Sequence, residues 1–231
     1  NETNLESLAI FQKQIIKEAT LHAKPVIVAT EMLHSMINNP FPTKAEVVDI
    51  SNAVIDGAAA TMLSGETAIG EYPEKSVKLM SSVADRIADH MDKKRLLDGK
   101  NSIPLAFGQA ISDLCNSLPI TKVVVVTITG FAARMVSSQK VSQPIIAVSN
   151  NIFSARSFNI LSGTKGIYVD IKFSRNNLDH VLDCLKYLYK KKEIVDSDLL
   201  LITAVSFPHS GQRMNMIQTH HVKALKKLFN W

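Results

Sequence analysis

Residues 24–36 read KPVIVATEMLHSM, and residues 42–65 read PTKAEVVDISNAVIDGAAATMLSG. The first stretch is an apolar run, KPVIVAT, with the look of a buried strand, and it ends on Thr30 and Glu31, a hydroxyl and a carboxylate that a core has no use for. In the second, Thr43 is followed three residues later by Glu46. That spacing is a capping box, in which each side chain satisfies a backbone amide at a helix start. The pattern predicts a helix from about Thr43 to Gly57, then a short strand in AAATMLSG that ends on Ser64, Gly65 and Glu66. Upstream, Leu5, Leu8, Ile10, Phe11, Ile15 and Ile16 recur at helical spacing as far as about Leu21. Downstream, Pro73 suits the first turn of a helix running through Val83 and Ile87. Two strand-helix units result.

The polar segment DKKRLLDGKNS, residues 92–102, reads as a linker, after which the alternation resumes. LAFGQAISDLCNSL is helical, and KVVVVTIT is a continuous apolar run typical of a strand covered on both faces. FAARMVSSQ, PIIAVS, FSARSFNIL and GIYVDI continue the alternation; Leu178, Val181, Leu182, Leu185 and Leu188 mark one side of a further helix. DLLLITAV and MNMIQTHHV are the last strands, and KALKKLFNW is either a terminal helix or a loose tail. This is an α/β pattern, divided as 1–92, a linker at 93–102, and 103–231.

Composition narrows the function. With 231 residues, 46% of them hydrophobic, there is enough chain for one large or two modest cores. Cys115 and Cys184 stand far apart, with neither a nearby partner nor a cluster of histidines, which signals neither a disulfide framework nor a zinc site. A reducing, cytoplasmic setting fits, and no apolar run approaches the roughly 20 residues of a membrane span. The net charge of +5 sits in short runs such as YKKKE rather than on one face interleaved with aromatics, so neither nucleic acid nor a membrane is the expected partner.

Parallel α/β folds gather their reactive groups where strands end. Neighbouring strands lie about 5 Å apart, so Thr30 and the Ser64/Glu66 pair either face one pocket or merely cap helices. In the second half, TITG (127–130) ends a strand and opens a helix. Its hydroxyls and the amides of Thr129, Gly130 and Phe131 make either an anion seat or a plain helix-start turn. The loop PHSGQRMN, with His209, Ser210, Gly211 and Arg213, is positioned to close over the same ligand, and Arg213 is the only obvious cation in reach.

KPVIVATEMLHSM and PTKAEVVDISNAVIDGAAATMLSGETAIGEYPEKSV resemble, in order, spacing and residue type, the last two strand-helix units of the pyruvate kinase barrel. QKQIIKEATLHA is similar to the preceding barrel helix, and TITGFAARMVS, PIIAVS, DLLLITAV and SGQRMNMIQTHHV to that family's C-terminal regulatory domain. The resemblance implies a partial (β/α)8 barrel followed by a three-layer α/β/α domain with a mostly parallel sheet. It implies transfer of a phosphoryl group from phosphoenolpyruvate to ADP in glycolysis, with Mg²⁺ and K⁺ whose ligands lie outside this chain, in a homotetramer. Thr30 then matches the threonine linked to enol protonation, and Ser64 and Glu66 the residues that hold a proton-relaying water. Thr127, Thr129, Gly130, Phe131, Ser210, Gly211 and Arg213 match the seat of a phosphorylated effector, although Phe131 and Ala132 replace hydroxyl or basic groups usual there.

The arginine, lysine and metal-holding acids of that family belong to earlier strands, so the chain is expected to be a C-terminal portion that is inactive alone. A free-standing effector-binding or assembly module, or a catalytically silent relative, are the alternatives. Glu31 stands where glutamine is usual and adds negative charge beside an anion site; His34 reads as a surface residue without a partner.

Overall fold

Thr43 caps helix α2, Lys44–Asp56, as the spacing predicts: its hydroxyl accepts from the Glu46 amide, and Glu46 Oε2 accepts from the Thr43 amide at 2.7 Å. The helix stops at Gly57, whose φ of 100° is open to a residue without Cβ. Before it come α1, Leu8–Leu21, and strand β1, Ile27–Ala29; after it come β2, Ala60–Met62, the single turn α3, Gly65–Ala68, and α4, Pro73–His90. These residues come from a computed structural model that describes 4–29, 31–90, 103–174, 177–204 and 214–231. The chain falls into two units, Asn1–Lys94 and Arg95–Trp231; the expected linker lies outside the described residues.

In the first unit β1 and β2 pair in parallel, Ile27 opposite Ala60 and Ala29 opposite Met62. Met32, Leu33, Met36, Ile50, Ala53 and Met80 form the core beneath them. The burial expected of one strand is corrected by the structure. The strand expected over KPVIVAT and buried is three residues long, with Ile27 49% exposed, because a two-stranded sheet covers neither edge fully. The periodic face of α1 is likewise real but mostly uncovered: Ile16 is buried, whereas Leu8, Ile10, Phe11 and Ile15 are exposed.

The second unit begins with α5, Ile103–Ser117, and alternates through β3, Lys122–Val126; α6, Phe131–Ser138; β4, Ile145–Ser149; α7, Ile152–Ser157; and β5, Thr164–Tyr168. It closes with α8, Asp179–Lys190; β6, Leu199–Ala204; β7, Met216–His221; and α9, Val222–Phe229, so the KALKKLFNW segment is a helix. The sheet order is β5-β4-β3-β6-β7, parallel except for β7, which runs antiparallel to β6. Val124, Val126, Ile146, Val148, Leu200 and Ile202 point to one face, under Val181, Leu185 and Leu188 of α8 and Leu225 of α9. Val123, Val125, Ile145, Ala147 and Leu201, on the other face, are equally buried. A sheet covered on both sides explains the unbroken Val-rich run.

Asp198 anchors the start of β6. It is 5% exposed and accepts from Lys122 Nζ at 2.9 Å, Thr121 Oγ1 at 2.9 Å and the Val195 amide at 2.8 Å. His220 is half-buried and His221 exposed, so the strand's alternation buries neither fully.

Candidate functional site

Because β1 and β2 are parallel, their C-terminal ends open at the same end of the first unit. Glu66 joins the two ends. Its carboxylate accepts from the Leu33 amide at 2.9 Å, beyond β1, and from the Ser64 amide at 2.8 Å, beyond β2. Burial, to 2% exposure, pushes this carboxyl up, but the amides of Glu66, Ser64 and Leu33 together with the charge of His34 outweigh it and hold the group below the ordinary glutamate range. Glu66 is therefore a fixed anion turned inward onto the backbone, not a proton carrier at neutral pH. His34, read from sequence as partnerless, contributes to that field from an exposed position.

Ser64 presents its side chain to the outside and makes no side-chain cap bond to α3, which removes the helix-capping reading for its hydroxyl. Thr30 lies outside the described residues. Its neighbour Glu31 is exposed, with φ of 54°, a left-handed conformation that costs a non-glycine residue roughly 1–2 kcal/mol. This left-handed residue stands just before buried Met32 and Leu33, where the chain turns away from β1. A second carboxylate, Glu46, braces the same loop by accepting from the Ser35 amide at 2.7 Å and the Ser35 hydroxyl at 2.6 Å. Burial raises this carboxyl, and the groups of Ser35 and Thr43 lower it further than burial raises it.

In the second unit, β3 and β6 are adjacent and parallel, while β4 and β5 lie on one side of them and β7 on the other. The chain leaves both strands at the same end, and such a reversal of strand order makes a crevice suited to ligands. Residues Thr127–Phe131 leave β3 there. Ser210, Gly211 and Arg213, in the segment that follows β6, lie outside the described residues. The sequence offered both the Thr127 hydroxyl and the Gly130 amide to an anion; instead they bond each other at 3.2 Å, as a short hydroxyl turn does. Thr129 remains exposed. Gly130 has φ of 79°, and a Cβ there would stand 2.3 Å from the Phe158 ring. Arg134 is the residue that sequence reading missed. Its guanidinium Nη1 donates to the Thr129 carbonyl at 3.2 Å, so a cation overlies the turn; its place one helical turn after Gly130 was the available signal.

Among the described residues no three His, Cys, Asp or Glu side chains come together as a metal cluster. No helix among them is long and apolar enough to cross a membrane.

The family model described as the pyruvate kinase barrel domain matches residues 2–77, and that described as the pyruvate kinase alpha/beta domain matches residues 106–220. Pyruvate kinase 2 of Synechocystis is 33% identical over 226 residues, which is 97% of this chain and 38% of that protein. Pyruvate kinase of Geobacillus stearothermophilus is 34% identical over 231 residues, covering 97% of this chain and 39% of its own length. A crystal structure of a pyruvate kinase from Cryptosporidium parvum aligns with a TM-score of 0.80 and 28% identity, over 95% of this chain and 44% of that one. The chain spans about two fifths of the length of the curated relatives it matches. Its first unit is thus a segment of a barrel and its second an alpha/beta domain, and with both models in family order the chain belongs to the pyruvate kinase family.

Proposed function

We propose that these 231 residues form the C-terminal part of a glycolytic enzyme that transfers the phosphoryl group of phosphoenolpyruvate to ADP. The bond between phosphorus and the enol oxygen breaks, the terminal phosphate oxygen of ADP takes the phosphoryl group, and carbon 3 of the enolate left behind takes a proton to give pyruvate. The part played here is the second step. Thr30 and Ser64 supply hydroxyls that donate and accept at once, as a proton relay requires. Glu66 is a positioning residue, whose carboxylate fixes the two strand tips relative to each other. The observation that carries this reading is the bridge from Glu66 to the Leu33 and Ser64 amides, which makes one mouth of two strand ends.

Mg²⁺ and K⁺ do not fit the described residues of this chain: both Glu66 oxygens already accept amides, and no acidic cluster stands beside them. Phosphoryl transfer also calls for cations on the migrating group. The resemblance assigns those cations and the metal ligands to barrel residues other than these, so the 231 residues alone are expected not to turn over. Assembly as a homotetramer, a cytoplasmic setting and a phosphorylated effector seated at Thr127, Thr129, Gly130, Phe131, Ser210, Gly211 and Arg213 complete the proposal. The crevice between β3 and β6, with Arg134 over the turn, supports the last of these.

The test is isotope exchange at carbon 3 of pyruvate, followed in the full-length enzyme with Mg²⁺ and K⁺. Thr30→Ala and Ser64→Ala should depress this exchange more than they depress phosphoenolpyruvate binding. Exchange at the normal rate in both variants would remove the relay assignment, and turnover by the 231 residues alone would remove the inactivity assignment.

A further inference from the structure

β7, Met216–His221, is the last strand of the second unit's sheet and pairs with one neighbour, β6. Of its residues only Met216 is buried; from Ile217 to His221 every side chain is half-buried or exposed, so none ties the strand firmly into a core. An edge strand of this kind is held by its backbone ladder and by whatever fixes its two ends. Met216 fixes the first end. The second end runs straight into α9, whose Val222 and Leu225 are buried in the core and whose first amide, that of Val222, donates to the Asp198 carbonyl at 3.0 Å.

A helix as short as α9 does not stand without packing, and it is fastened a second time near its far end. Lys226 Nζ donates to both Asp196 oxygens at 3.1 Å, in the segment leading into β6, and to the Tyr189 hydroxyl oxygen at 2.7 Å, in the last turn of α8. The same ammonium lies 4.7 Å from the centre of the Tyr189 ring. Hydrogen bonding by Tyr189 and then by Lys226 holds the Asp196 carboxyl below its ordinary range, so the latch is an ion pair at neutral pH. Asn230, with φ of 51°, turns the chain so that the Trp231 amide donates to the Lys226 carbonyl at 3.3 Å. Trp231 then meets Tyr189 and Phe229, each at 6.4 Å between ring centres. The match to the alpha/beta domain ends at residue 220, so it assigns no role to α9.

We propose that α9 is a C-terminal strap latched by Lys226, and that its closure keeps β7 paired with β6 along its whole length. When the latch opens, α9 and β7 loosen together and bare the backbone edge of β6, a strand whose residues from Leu200 to Ala204 are all buried.

Hydrogen exchange, read peptide by peptide in the full-length protein, tests this. Lys226→Met keeps the apolar stem and removes the ammonium; it should speed exchange about fivefold in α9 and β7 together and leave β3 and β4 at the parent rate. Lys227→Met makes the same change of charge at an exposed neighbour and should alter neither element. Because the latch is an ion pair open to solvent, raising the ionic strength from about 0.05 M to about 1 M should speed exchange of α9 and β7 in the parent, and do so less in Lys226→Met. Faster exchange confined to α9, parent rates in Lys226→Met, an equal effect of Lys227→Met, acceleration that reaches β3 to the same degree, or a parent protein indifferent to salt would each overturn the proposal.

Discussion

Replacing Glu66 by glutamine keeps the shape of the side chain and removes one acceptor. In the parent protein one oxygen takes the Leu33 amide at 2.9 Å and the other takes the Ser64 amide at 2.8 Å. A glutamine that keeps the first bond turns an NH₂ toward the second amide, so two donors face each other at a residue 2% exposed. A buried donor stripped of its partner costs about 1–3 kcal/mol, and about 2 kcal/mol of local opening corresponds to roughly 30-fold faster amide exchange. Hydrogen exchange of the Leu33 and Ser64 amides in the full-length enzyme, parent against Glu66→Gln, reads this directly. The sign with pH follows from the lowered carboxyl: its stabilisation is complete above the unfolded value, roughly 4.3, and is lost as pH falls through the lower folded value. The difference between the two proteins should therefore be full at neutral pH and shrink in acid below that point. Misplacement of the relay should also lower kcat by about tenfold with little change in KM for phosphoenolpyruvate. Unchanged protection at both amides would refute the bridge, and unchanged protection with a lowered kcat would show that Glu66 acts on the chemistry by another route.

Gly130→Ala should cost about 2–4 kcal/mol in thermal or denaturant unfolding of the second unit, since the new Cβ meets the Phe158 ring at 2.3 Å and φ is 79°; Phe158→Leu in the same chain should recover the steric part. Asp198→Asn should destabilise by about 3 kcal/mol near neutral pH, leaving Lys122 without its charge partner. Burial raises the Asp198 carboxyl, but Lys122, the Val195 amide and Thr121 lower it further, so this loss should be full above about pH 3.9 and fade as pH falls through the folded value. Glu31→Gln, which removes an exposed charge at the β1 tip, should lower KM for phosphoenolpyruvate about two- to fivefold; no change would separate Glu31 from the anion site. Cys184, buried with its thiol pushed up to about 12, should resist alkylation in the folded enzyme at pH 8 and react on unfolding.

What the sequence discloses of this fold depends on how local each cause is. The capping box of Thr43 and Glu46 was readable because both partners lie within one turn, and the Val-rich run of β3 because full burial leaves no alternation to detect. The second engagement of Glu46, with Ser35, was not readable: eleven residues separate them, and only the folded loop brings them to 2.6 Å. The state of KALKKLFNW was undecided for the same reason, since α9 rests on Val222 and Leu225 buried in the second unit's core and on the contact of Trp231 with Tyr189. At the candidate site the residue types were legible and their directions were not. Ser64 and Glu66 stand two positions apart at a strand end, and spacing alone allows both to face a ligand. The choice is made by the Leu33 amide, thirty-three residues upstream in sequence, which gives the carboxylate a buried partner that solvent-facing placement would forfeit. Turning Glu66 inward leaves Ser64 as the outward group, and that division of roles explains why one residue of the pair is almost wholly buried while the other is exposed. A relay hydroxyl needs freedom to rotate between donor and acceptor, whereas the group that aims it needs none. The fold supplies rigidity and rotation to two residues of the same turn by satisfying one of them with backbone amides and leaving the other side chain uncapped.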